Sequence, residues 1–140
     1  MNRLDIKADA RRIFEVLQKG GIAIIPNDAG YALMGGSKEA VQRIFDAKRR
    51  GSHKRNAMLC SRETQRELHV LDERSQSMID VLTQDYDLTV GVVAPYRKDH
   101  PLIAKLDGEL LKASTGHGTV AMLLNAGQLV VGKCTISVIH

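Results

Sequence analysis

The chain contains no tryptophan, only 4% aromatic residues, three prolines, two cysteines and no long apolar run. Each shortage excludes something. Without aromatics to interleave, a platform for single-stranded nucleic acid has nothing on which to stack bases. Without about 18 consecutive apolar residues there is no membrane-spanning helix. Cys60 and Cys134 are far apart, form no CxxC pattern and follow no secretory leader, which points to reduced thiols with filler roles in a cytoplasmic protein. The five histidines, at 53, 69, 100, 117 and 140, fall in no HxxxH, HExxH or Cys/His spacing, so no metal site is expected. GxSxG, GxGxxG and GxxxxGK[ST] are also missing, and Ser114, Thr115 and His117 read as part of a turn.

What remains is a chain of 140 residues, 44% hydrophobic, of a size for one domain whose core is Leu, Ile, Val, Ala and Met. Apolar residues at helical spacing predict a helix over 8–19, stopped by Gly20 and Gly21. The run Ile22 to Ile25, closed by Pro26, predicts a strand buried on both faces, followed by a loop over 26–36. Ser37 caps a second predicted helix through Lys48. Further on, the pattern predicts strands over 57–60, 88–94, 119–124, 129–131 and 135–139, and helices over 61–68 and 72–84. Mixed strands and helices of this kind imply an α/β domain, α+β in character, built on one mixed sheet with flanking helices.

Charge is concentrated in one place. Between positions 43 and 55 lie Arg43, Lys48, Arg49, Arg50, Lys54 and Arg55, opposed only by Asp46, a local +5 against +4 for the whole chain. Two readings stay open here. Cations complement the negative end of a helix dipole, and they also focus a field on phosphates. With the glycines of the preceding loop letting backbone amides come close to a ligand, the pair of segments makes a physically coherent phosphate site.

The stretch Gly21-Ile22-Ala23-Ile24-Ile25-Pro26-Asn27-Asp28-Ala29-Gly30-Tyr31-Ala32-Leu33, followed by Ala40-Val41-Gln42-Arg43-Ile44-Phe45-Asp46-Ala47-Lys48-Arg49-Arg50, resembles the YrdC/Sua5 domain family. There a strand enters a Pro-Thr-Asp/Glu-Thr-x-Tyr-Gly-Leu loop, and a helix ends in Ile-x-x-x-Lys-x-Arg. The resemblance implies a single twisted YrdC-like domain over 1–140, short of the usual C-terminal part. It implies chemistry of the threonylcarbamoyl-AMP synthase type, in which threonine, bicarbonate and ATP with Mg²⁺ react in the t6A pathway of tRNA modification. Lys48 and Arg50 then stand at the catalytic and nucleotide-binding positions, with Asn27, Asp28 and Tyr31 beside the substrate. Asn27 and Ala29 replace the family's threonines, and no Ser-x-Asn motif follows, since Ser137 precedes Val138 and Ile139. Reduced or altered activity is the consequence. Alternative readings are a double-stranded RNA-binding module using Arg49, Lys54 and Arg55, or a carbamoyl-adenylate-binding relative. A homodimer is compatible with either.

Overall fold

The computed structural model describes residues 5–27, 30–51, 54–126 and 135–138, the last four by their backbone alone. Asp28, named above as a substrate-loop residue, and the strand expected over 129–131 lie outside them. Helix α1 (Ile6–Gln18) starts at Asp5, whose carboxylate accepts from the Ala8 N–H. It leads to strand β1 (Ile22–Asn27), which pairs antiparallel with β2 (Gly30–Gly35). The segment expected as a loop is therefore mostly strand, because Ala32 and Met34 alternate inward with Ala23 and Ile25 on the same face. Helix α2 (Lys38–Ala47), capped by the Ser37 hydroxyl, is followed by β3 (Ala57–Leu59), α3 (Arg62–Leu68) and α4 (Glu73–Asp80). The predicted helix over 72–84 does not stay α-helical; it widens into a π turn, Val81–Asp85, where the Thr83 hydroxyl donates to the Ile79 carbonyl at 2.8 Å. Then come β4 (Val90–Pro95), α5 (Pro101–Ala104), α6 (Gly108–Ser114), β5 (Thr115–Gly116), β6 (Thr119–Leu124) and β7 (Thr135–Val138). Among the described residues no helix is long and apolar enough to cross a membrane.

The strands form one mixed sheet in the order β1-β2-β7-β3-β6-β4, with β5 paired to β6. β7 runs antiparallel to both β2 and β3, so β2 and β3 are parallel to each other, and β6 is parallel to β3. Helices cover opposite faces in the two halves. On one face, Leu17 of α1 packs with Ala23, Ile25, Ala32, Met34 and Leu59. On the other, Val41, Leu68, Ile79, Ile103 and Leu110 pack on Met58, Val92, Val120, Met122 and Leu124. Each fully buried Leu or Met here contributes about 1.5–3 kcal/mol. This diagonal arrangement leaves Ile24, expected to be buried, 65% exposed, because α1 covers only the other face of β1.

Gly35 fixes where α2 sits. A Cβ at that position would lie 2.9 Å from the Ala40 Cβ and 3.3 Å from Ile44, so the helix approaches the strand more closely than any side chain permits. As the connection between parallel strands β2 and β3, α2 returns antiparallel to both and brings the residues after it to the end of the sheet where β2, β3 and β6 begin.

A polar chain ties α3 and α4 to β6. His69, 3% exposed, places Nε2 3.1 Å from the Val120 carbonyl, which only accepts, so Nε2 carries the proton and Nδ1 accepts from Gln65 at 3.4 Å. Gln65 and Gln76 exchange two amide hydrogen bonds at 3.1 Å, and Gln76 donates to Asp80, which also pairs with Arg66. Burial holds the His69 pKa below its ordinary 6.5, against the raising effect of the Val120 carbonyl. The unfolded chain therefore binds the proton more readily, and stability is lost as pH falls from 6.5 toward the folded-state value. Chemical denaturation between pH 7.5 and 5 should show this loss, with a slope from His69 of up to about 1.4 kcal/mol per pH unit, and His69→Leu should remove that component. An unchanged pH profile in the variant would refute the assignment.

Candidate functional site

One end of the sheet collects the residues singled out from the sequence. β1 finishes there with Asn27, and β2 begins there with Gly30 and Tyr31. The crossover helix delivers Lys48, Arg49 and Arg50 to the same end, and Arg55 and Asn56 stand directly before β3. Tyr31 is 69% exposed and pairs across the hairpin with Pro26.

The backbone at the end of α2 directs these cations. Lys48 is the C-cap residue, directly after the last helical residue Ala47, and Arg49 then adopts a left-handed conformation, φ 49°, which glycine takes at lower cost. The Arg49 N–H donates to Asp46 O at 3.0 Å and the Arg50 N–H to Phe45 O at 2.9 Å, the paired bonds of a Schellman cap. Such caps usually place an apolar contact between the residues Arg50 and Phe45 occupy. Here the Arg50 guanidinium lies 5.8 Å from the centre of the Phe45 ring, a cation–π contact in its place. Arg49 faces solvent, and Lys54 and Arg55 are exposed as well.

Lys48 turns inward. Its Nζ is shielded from solvent and has no hydrogen-bond partner among the described residues, and its pKa is lowered from the usual 10.5, first by burial and then by the charge of Arg50. A cation that merely complements the helix end would remain hydrated or bond to the terminal carbonyls. Lys48 does neither. At neutral pH its enclosed charge opposes folding, and that cost is relieved as pH rises through the lowered pKa toward 10.5.

Arg50 also borders a groove of about 290 Å³ between α2 and α6, where Lys38, Arg50, Arg55 and Lys112 face a single carboxylate, Glu109. Arg55 is anchored there by its Nε, which donates to the Thr115 carbonyl at 2.8 Å. The structure thus brings Arg50 and Arg55 together in the groove with Lys38 and Lys112, which the charge pattern did not single out, whereas Tyr31 and Lys48 do not line it. Among the described residues no group of three His, Cys, Asp or Glu side chains could hold a metal ion. Replacing Lys48 by Met keeps the stem and removes the charge. Lys48→Met should raise the melting temperature of the ligand-free chain at pH 7. A lower melting temperature would show that the ammonium stabilises the fold.

Residues 15–83 match the Sua5_yciO_yrdC family model, described as "Telomere recombination". No curated protein matches the chain. Among solved structures, a hypothetical protein, smu.1377c, from Streptococcus mutans UA159 superposes with a TM-score of 0.80 at 25% identity, over 91% of this chain and 55% of that one. Sua5 of P. abyssi, solved with L-threonine, gives 0.70 at 18% identity over 97% and 39%. E. coli YciO gives 0.63 at 17% over 95% and 63%. The chain thus spans less than two thirds of the length of each, and the two likenesses under 25% identity show the fold alone.

Proposed function

We propose that this YrdC-like domain binds a phosphate-bearing ligand, a nucleotide in the first instance, at the end of the sheet where Lys48 and Arg50 meet the β1–β2 hairpin. The observation that carries this reading is the enclosed ammonium of Lys48, which lies beside Arg50 and itself has no hydrogen-bond partner among the described residues. Two like charges held together at a cost to the fold are most simply balanced by an anion, and a phosphate supplies the charge and acceptors they lack. The family likeness suggests ATP, with chemistry of the threonylcarbamoyl-AMP synthase type as its fullest form and tRNA modification as the setting.

The protein's part in such a reaction is positioning and charge neutralisation. Lys48 and Arg50 hold phosphate oxygens, and the hairpin bearing Asn27 and Tyr31 borders the reacting groups. No side chain need act as a covalent nucleophile. Mg²⁺ would come with ATP and would supply charge neutralisation on the triphosphate, whose oxygens Lys48 and Arg50 would hold. Asn27 in place of a threonine hydroxyl weakens the case for threonine as the co-substrate.

A second reading is favoured by the exposure of Arg49 and Lys54, which flank Arg50 and Arg55 in the sequence. Exposed cations that bond to nothing specific suit the backbone of double-stranded RNA. Calorimetric titration separates the two. Pyrophosphate and ATP should bind the wild type and lose at least about tenfold in affinity in Lys48→Met, as expected for a lost charge-assisted contact. The double change Arg49→Ala and Lys54→Ala should leave ATP affinity intact and, where duplex RNA binds, lower the log-log salt slope by roughly two. No binding of pyrophosphate or ATP to the wild type would overturn the nucleotide reading.

A further inference from the structure

The basic segment has an acidic counterpart. Between Arg74 and Arg97 the sequence holds no lysine or arginine, and its charges are Asp80, Asp85 and Asp87. Asp80 pairs with Arg66, which leaves Asp85 and Asp87 on either side of Tyr86. Tyr86 is 68% exposed and Leu88 48%. The turn that presents them is well held: the Tyr86 N–H donates to the Val81 carbonyl at 3.2 Å and the Leu88 N–H to the Leu82 carbonyl at 2.9 Å. Asn125 Nδ2 donates to the Asp87 carboxylate at 2.8 Å and to the Leu88 carbonyl at 3.3 Å. Asp87 itself sits at φ 51°, a conformation that costs a residue other than glycine. An aromatic ring held out in this way loses little backbone freedom when it is covered, and tyrosine suits interfaces because its ring buries area while its hydroxyl keeps a polar partner.

The groove between α2 and α6 has the complementary features. Val41, Phe45 and Leu110 give it an apolar floor, four cations face one carboxylate around it, and its volume of about 290 Å³ admits an aromatic side chain. Two of the cations are already positioned, Arg55 by the Thr115 carbonyl and Arg50 by the Phe45 ring. An RNA backbone would use the cations and leave the apolar floor uncovered. A ring between two carboxylates uses both. One chain cannot bring the two together, because Thr115, which holds Arg55, stands just before β6, whereas Asn125, which holds the turn, directly follows it. The six residues of β6 separate them by about 20 Å.

We infer that the turn over 85–88 docks into the α2–α6 groove of a second copy of this chain, seating Tyr86 on the apolar floor with Asp85 and Asp87 against the groove cations. The contact joins two different surfaces, so it is heterologous and repeats head to tail. Sedimentation equilibrium tests it. The wild-type mass should rise with concentration past that of a dimer at low salt, and the association constant should fall at least about tenfold between about 50 and about 500 mM salt, as expected of charges at the rim of an interface.

A groove variant, Lys38→Glu with Lys112→Glu, and a turn variant, Asp85→Lys with Tyr86→Ser, should each stay monomeric. All four positions are exposed, so the fold should survive the changes. Mixed in equal amounts, the two variants should form a one-to-one dimer that grows no further, because one intact groove then meets one intact turn. The single changes Lys112→Glu and Tyr86→Ser provide a second pair if either double variant does not fold. A wild type that stays monomeric at low salt up to about 1 mM, where even a weak specific contact is populated, overturns the proposal. Undiminished self-association by either variant alone, or a mixture of folded variants that gives no dimer, overturns it as well, since any association then runs through other surfaces.

Discussion

A helix that connects two parallel strands has to carry the chain back to the end of the sheet it left, and the basic site depends on that constraint. β2 and β3 are parallel with β7 between them, so α2 runs against both and ends beside the β1–β2 hairpin. Gly35 lets the helix sit against the strand closely enough to make the return. The Schellman cap at Arg49 then sends Lys48 inward and Arg50 against Phe45. Without the crossover, the cations of the 43–55 segment would be scattered over solvated surface.

Seen this way, the polar inventory of the molecule divides in two. The His69, Gln65, Gln76 and Asp80 chain is satisfied along its length and serves to lock α3 and α4 onto β6. At the basic end, the shielded Nζ of Lys48 and the buried side chains of Asn56 and Ser114 have no hydrogen-bond partner among the described residues. Stabilising networks and recognition surfaces are expected to differ in this respect, because a site for a ligand must hold its donors and acceptors ready before the ligand arrives.

Much of this was legible in the sequence where a pattern repeats. Helices α1 and α2 follow from apolar residues at helical spacing and from Gly and Ser at their ends. Lys48 and Arg50 stand out through local charge. The strand β2 was hidden because Gly30, Gly35 and Gly36 read as loop, and only its pairing with β1 makes the alternation of Ala32 and Met34 decisive. The exposure of Ile24 was hidden as well, since an apolar run does not say which face a helix will cover. Asn56 and Ser114 gave no signal, because their burial depends on a bond between segments 57 positions apart, from Asn56 to Ala113. The groove had the same origin: Lys38 and Lys112 belong to helices whose proximity is a property of the fold.

The central claim is that Lys48 is held as a poorly solvated cation awaiting an anion. Its ammonium can be followed directly by NMR, with isotope-labelled lysine and assignment through Lys48→Met, as the pH is raised with and without pyrophosphate. The account predicts a pKa below the usual 10.5 in the free protein and a rise when pyrophosphate is present, because the bound anion favours the charged form. An ordinary lysine titration that pyrophosphate leaves unmoved would contradict it.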